Sequence, residues 1–313
     1  MDSVAFSPAR RPIGSTGLSV YPFGIDGSIF GWAAGFEATV EVLDEFASAG
    51  GTLISTADHY AGGRSEVMIG SWLASQRRGD FVLASKVGRH PDAPGLGARS
   101  IKNAVEASLE RLRVDRIDLL SFDGDHPETP IEESLTAVGE LIAEGKVGHL
   151  GLSEFTGRRA VEAMQTAARR SLPSPEAIIA EYNLMERDRY EGDLASVAEG
   201  YELGVIARLP LASGYLRGDF RSRDDLPTSP MFAGALRYVG RHGNRVLAAL
   251  EAVSHEVGEN IGRVAIAWVL SKPQVAAVAV RAMDAPQLLD LIAGARLPLL
   301  DASHIARLDK VSG

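Results

Sequence analysis

Residues 81–122 read FVLASKVGRHPDAPGLGARSIKNAVEASLERLRVDRIDLLSF. An apolar run opens the stretch at 81–86 and a second closes it at 117–122. Both are short and built largely of Val, Leu, Ile and Phe, as buried strands are. Between them, at 100–112, Ile101, Val105, Leu109 and Leu112 recur at helical spacing and form one apolar stripe. Strand, amphipathic helix and strand make a parallel βαβ unit, whose crossover is right-handed.

The unit repeats in both directions. Further strands are expected at 21–25, 52–55, 149–153, 177–181, 205–209 and 275–280, and helices at 38–49, 65–76, 131–144, 157–170, 194–203 and 285–295. Gly51, Gly145 and Gly204 fall where helices end and strands begin, as C-cap glycines do. Ahead of the first strand, RPIGSTGLSV at 11–20 reads as a small hairpin with Gly14 and Gly17 at its turn. Eight strands alternating with helices suit a closed barrel or an open doubly wound sheet. The GxGxxG fingerprint is missing after the first strand, which weighs against the open dinucleotide-binding fold. The expected fold is a (β/α)8 TIM barrel in one domain over 1–313, with a long irregular segment at 213–243 after the seventh strand.

Composition narrows the function classes. The 313 residues are 45% hydrophobic and 23% charged, ordinary for a chain that buries its own core. Lys plus Arg is 32 against 41 Asp plus Glu, a formal charge of −9, and no basic stripe appears. A nucleic-acid partner is therefore not expected. With no cysteine, disulfides and thiolate chemistry are excluded, which suits a cytoplasmic location. MDSVAFSPARRP has no apolar signal core, and no run of about 18 apolar residues predicts a membrane helix.

In a barrel the chemistry sits at the C-terminal strand ends. Tyr60 and Lys86 follow two successive strands there. An ammonium beside a phenol lowers the phenol pKa, giving a proton donor for a carbonyl oxygen. On spacing alone, the plainer reading of a loop aromatic and a solvated lysine is the stronger one. His59 and His126 lack HxH or HExxH spacing, so no metal site is expected.

Several motifs then change the weighting. STADHYAGGRSEVMIGSWL, VLASKVG, SLERLRVDRIDLL, LIAEGKVGHLGLSEF, EYNLMER, GVIARLPLASGYLRGDF and VLSKPQVAAVAVRAMDAPQL resemble, in order and spacing, segments of the aldo-keto reductase superfamily. The resemblance runs from Ile13 to about Leu308. It implies a barrel enzyme in which NADP(H) exchanges hydride with the carbonyl or alcohol of a small molecule. It also implies an Asp, Tyr, Lys and His tetrad around the carbonyl oxygen. Tyr60 matches the family acid and Lys86 its lysine.

Other positions depart from the pattern. Ser55 stands where the family has Asp, and Asp123 where it has His. An early family Gly becomes Asp26. The Ser-Asn pair that holds the nicotinamide amide becomes Ser153 and Glu154, a Gln becomes Ile179, and the family's IPG becomes Ala279, Val280 and Arg281. The lost aspartate leaves Lys86 without its charge partner, which Asp123, Asp26 or Glu154 is placed to replace. Ionised, Asp123 only accepts hydrogen bonds; protonated, it donates. The expected pocket is acidic and suits a cationic or amine-bearing substrate.

The resemblance further implies that Arg208, Leu211, Arg281 and Gln287 border the cofactor, Arg281 toward the adenosine 2′-phosphate. Trp32, with Asp26, is expected to shape the substrate pocket, and 217–225 to clamp the cofactor. The leading expectation is an NADP(H)-dependent oxidoreductase. The alternatives are a barrel repurposed for non-redox acid–base chemistry and a non-catalytic binding subunit.

Overall fold

The computed structural model describes residues 9–218, 220, 222, 224–225, 230–295 and 300–313. The start of the MDSVAFSPARRP reading, and three residues of the expected clamp (219, 221 and 223), lie outside these.

β1 (Arg11–Pro12) and β2 (Ser19–Val20) pair antiparallel as the expected hairpin. Eight parallel strands then close into a barrel. They are β3 (Phe23–Asp26), β4 (Leu53–Ser55), β5 (Val82–Val87), β6 (Ile117–Asp123), β7 (Val147–Ser153), β8 (Ala177–Glu181), β9 (Gly204–Arg208) and β10 (Val275–Val280). They are hydrogen-bonded in chain order, and β10 returns to β3, with Val278 opposite Phe23.

Helices ring the barrel: α1 (Phe36–Ser48), α2 (Arg64–Leu73), α3 (Ala98–Leu112), α4 (Ile131–Ala143), α5 (Gly157–Arg170), α6 (Asp193–Gly200), α7 (Arg241–Val257), α8 (Ile261–Leu270), α9 (Ala285–Gly294) and α10 (Ala302–Ser312). Their apolar stripes, such as Ile101, Val105, Leu109 and Leu112 of α3, pack with outward-facing strand residues into one continuous core. The segment after β9 is less irregular than expected. Ala212–Arg217 and Pro230–Tyr238 are 3-10 turns, and α7 begins at Arg241. None of the helices among the described residues is long and apolar enough to cross a membrane.

Side chains alternate along each strand, so every second residue faces the barrel axis. One inner layer is apolar: Leu53, Ala84, Leu119, Ile179, Ile206 and Ala279, with Ile13 and Val20 of the hairpin packed on the same cluster. The hairpin thus plugs the N-terminal end. Two residues further along, the inward face turns polar at Asp26, Ser55, Lys86, Ser121, Ser153, Glu181 and Arg208; Asp123 ends β6 two residues beyond Ser121, and Arg281 follows β10. A Cβ built on Gly24 would meet the Leu53 side chain, and one on Gly151 would meet Ser121 Oγ and Ile179 Cδ1, so these glycines face inward as well.

Candidate active site

Tyr60 sits in the turn after β4, its N–H bonded to the Ala57 carbonyl at 3.2 Å. The turn needs left-handed backbone at Ala61 (φ 52°), Gly62 and Gly63, and it delivers the ring into the barrel mouth. Lys86, one residue before the end of β5, is almost fully buried. Its Nζ donates to the Thr56 carbonyl at 2.7 Å and lies 4.7 Å from the centroid of the Tyr60 ring. The Tyr60 hydroxyl is buried with no hydrogen-bond partner among the described residues.

Burial, and then the Arg208 charge, push the Lys86 ammonium down to about 8; Asp26, Asp123 and Asp58 pull the other way. Tyr60 corrects the expectation that Lys86 lowers its pKa. Burial first, then the negative charges of Asp26 and Asp123, hold the phenol well above its usual value. At neutral pH it is a neutral donor.

The carboxylates are spread around the mouth. Asp26 is fully buried; its Oδ1 accepts from Ser28 N at 2.9 Å, and its Oδ2 lies 3.5 Å from Arg208 Nε. Burial opposes its charge, yet Arg208, Lys86 and Arg281 together hold its carboxyl below the usual range. Asp123 accepts from Ser153 Oγ at 3.3 Å and faces Arg89 at 3.6 Å and His59 at 3.7 Å. Its neighbours are donors and cations, an acceptor's setting. Ser55 is buried on β4, opposite Asp26 in register. The mouth is not the acidic pocket expected: in the inward ring, Asp26, Asp123 and Glu181 are offset by Lys86, Arg208 and Arg281.

Asp58 and His59 stand beside Tyr60 in the same turn. Asp58 is fully buried, bonded to Gly88 N at 3.3 Å and to His59 Nδ1 at 3.2 Å. The His59 ring packs edge-on to Tyr60 at 4.9 Å. The adjacency of both to Tyr60 in DHY was the available signal. Arg189 and Arg237 were also missed. Both pair with Glu181, and Arg237 anchors the Pro230–Tyr238 turn to the mouth. Nothing in local spacing announces the contact of Arg237 with Glu181 across more than fifty residues.

The expected cofactor residues fall into two groups. Leu211, Arg281 and Gln287 line one narrow cleft outside β9 and β10, with Ser213 and Arg217. Arg281 also faces inward, its charge felt by Asp26 and Tyr60, so it stands between the cleft and the mouth. The other group closes on itself. Ser153 turns to Asp123, while Glu154, with left-handed backbone at φ 56°, reaches Arg208 at 3.4 Å and Arg189 at 3.6 Å. Ile179 belongs to the apolar layer. A second cavity of about 530 Å³ opens beside Glu154 and Glu181, also lined by Phe155, Arg189 and Asp193. Trp32 is 53% exposed in the loop after β3, on the rim.

A family model described as Aldo/keto reductase family matches residues 27–312. A protein from Oryza sativa subsp. japonica named "Probable voltage-gated potassium channel subunit beta" is 28% identical, with 96% of this chain and 95% of that protein covered. A protein of the same name from Arabidopsis thaliana gives the same figures, 28%, 96% and 95%. "Aldo-keto reductase str7" from Strobilurus tenacellus is 32% identical, covering 84% of this chain and 80% of that protein.

Proposed function

The chain belongs to the aldo/keto reductase family, and from that premise we propose that it is an NADP(H)-dependent oxidoreductase acting on the carbonyl or alcohol of a small molecule. The observation that carries this reading is the buried Tyr60 hydroxyl beside Lys86, without a hydrogen-bond partner among the described residues. Leaving a buried polar group unpaired costs roughly 1–3 kcal/mol. A substrate oxygen entering the mouth relieves that cost. Tyr60 donates to this oxygen and, as charge develops on it, passes its proton across. The Lys86 ammonium behind the ring stabilises the phenolate that remains.

The residues at the cleft suit the phosphates of a dinucleotide. Arg217 and Arg281 bring two guanidiniums and Gln287 an amide, along one apolar-walled groove. The cleft must widen to admit one. At the ring end Glu154 offers a carboxylate to accept from an amide NH2, in exchange for its contacts with Arg208 and Arg189. When bound, the cofactor supplies the hydride.

A second reading rests on that same ionic bridge from Asp26 through Arg208 to Glu154, which spans the mouth with the charges already satisfied. It favours acid–base chemistry without a cofactor, run by Tyr60, Lys86 and Asp123. Titration of the protein with NADPH and NADH, followed by tryptophan fluorescence or heat, separates the two. Micromolar NADPH binding keeps the first reading, and no binding of either at millimolar concentration removes it. Tight binding with no turnover of any carbonyl would move the protein toward a binding-subunit role, as the names of its rice and Arabidopsis relatives suggest.

A further inference from the structure

Lys86 is a buried cation with no carboxylate at ion-pair distance among the described residues; its one hydrogen bond goes to a backbone carbonyl. A buried charge is tolerated only when an opposite charge balances it. The charged groups bearing on it come from four directions: Asp26 from β3, Asp58 from the turn after β4, Asp123 from β6 and Arg208 from β9. The Tyr60 ring covers a further side.

Two of the three acids are committed elsewhere. Asp58 has one oxygen on Gly88 N and the other on His59. Asp123 is shared among three side chains: Ser153 Oγ at 3.3 Å and Arg89 at 3.6 Å on one oxygen, and His59 at 3.7 Å on the other. Asp26 differs in having a single side-chain partner among the described residues. Its Oδ1 caps the turn at Ser28 N, and its Oδ2 lies 3.5 Å from Arg208. Its strand neighbours β4, and β4 neighbours β5; in the register row Asp26, Ser55, Ala84, the intervening inward residues are small and uncharged.

We propose that Asp26 is the positioning carboxylate of the Tyr60–Lys86 pair, supplying from β3 the charge that the register-matched Ser55 does not. The proposal rests on the reading of Tyr60 and Lys86 as the working pair. Asp26 exerts the largest pull of the three acids on Lys86, and the largest of any charge on Tyr60. In both cases its field keeps the proton on: the lysine stays an ammonium and the tyrosine stays a phenol. Arg208 is a like charge that works against the ammonium, and Asp26, 3.5 Å from Arg208, offsets it. Without Asp26 the Arg208 charge bears on Lys86 with less to balance it.

The test needs neither cofactor nor substrate, so it is independent of whether the protein binds NADPH. The chain holds five lysines, few enough to follow individually by NMR after biosynthetic labelling with [ε-13C]lysine. Lys86 is assigned by its disappearance in Lys86→Arg. In Asp26→Asn the Lys86 midpoint falls by about one pH unit, the lower end for losing an opposite charge nearby. In Asp26→Asn/Ser55→Asp it returns toward the native value, because the register puts the new carboxylate in the same row. A purely structural aspartate would lower the melting temperature and leave the midpoint in place. An unmoved midpoint in folded Asp26→Asn overturns the proposal. So does a folded double variant whose midpoint is not restored. If Asp26→Asn does not fold, a double variant that folds with a native midpoint supports the proposal, and one that also fails overturns it.

Discussion

A buried ammonium held by a carbonyl titrates differently in the folded and unfolded chain, and the difference is measurable. Lys86 is pushed down to about 8 in the fold, against roughly 10.4 in an unfolded peptide. Below pH 8 the lysine is charged in both states and the fold bears the cost of burying that charge. Between those values the unfolded chain binds more protons, so stability rises with pH, at a limiting slope of about 1.4 kcal/mol per unit. Native minus Lys86→Met unfolding free energy, from urea titrations at pH 7 to 9.5, should climb across that window; a flat difference would show that Lys86 is not desolvated. Tyr60 has the opposite sign. Its raised phenol contributes stability below pH 10 that is lost as the unfolded phenol ionises. Tyr60→Phe removes an unpartnered hydroxyl, so it should leave the melting temperature unchanged or slightly raised while cutting carbonyl turnover by about 10²–10⁴-fold. A large loss of stability would mean that the hydroxyl has a partner in solution. Sequence reading found Tyr60 and Lys86 through motifs. It located the missing charge at Ser55 but left Asp123, Asp26 and Glu154 open as replacements, because which carboxylate bears on Lys86 depends on strand register and on what already occupies each oxygen.

At the scale of elements, strands and helices were legible wherever periodicity was strong. The stripe of α3 and the apolar run of β6 appear close to the expected bounds. The segment after β9 was harder. Its 3-10 turn at Ala212–Arg217 is interrupted by left-handed Ser213 and Gly214, and α7 starts after Gly240 with no side-chain cap. Neither start signal nor period was there to read. The hairpin was legible from its glycines, but its task was not. Gly14 has φ 51°, and a Cβ there would sit 2.4 Å from the Glu176 carbonyl and 2.6 Å from Gly204 N. Gly17 is also left-handed, φ 75°, but faces open space. Gly17→Ala should therefore cost only the conformational penalty, about 1 kcal/mol, and Gly14→Ala should cost clearly more, because the plug must lift off the barrel floor. Urea unfolding of the two variants decides it; equal costs would mean that the hairpin does not seal the barrel end.

The whole molecule is a stack: a hairpin plug, an apolar inner layer, and a polar ring at the mouth where charges of both signs meet. Only the period of two along each strand links the last two levels, which is why the sequence shows both as a strand's final residues without showing that eight of them meet. The stack also ties the distance of a substitution from the mouth to its cost. Ile206 lies in the apolar layer of β9, two residues before Arg208 and wholly buried. Ile206→Gln would strand an amide among Leu119, Ile179 and Ala279 with no polar partner, and should lower stability by about 1–3 kcal/mol for the unpaired group, with lost packing added. Ser55→Asp, one level up on β4, places a charge near Lys86 and should be far better tolerated despite the greater change in polarity. Measured side by side by urea unfolding at pH 7, the aspartate variant should be the more stable of the two. The reverse order would mean that the ring is not built to hold charge. The balanced field around Tyr60 would then be incidental to the fold rather than the condition under which its proton is kept and released.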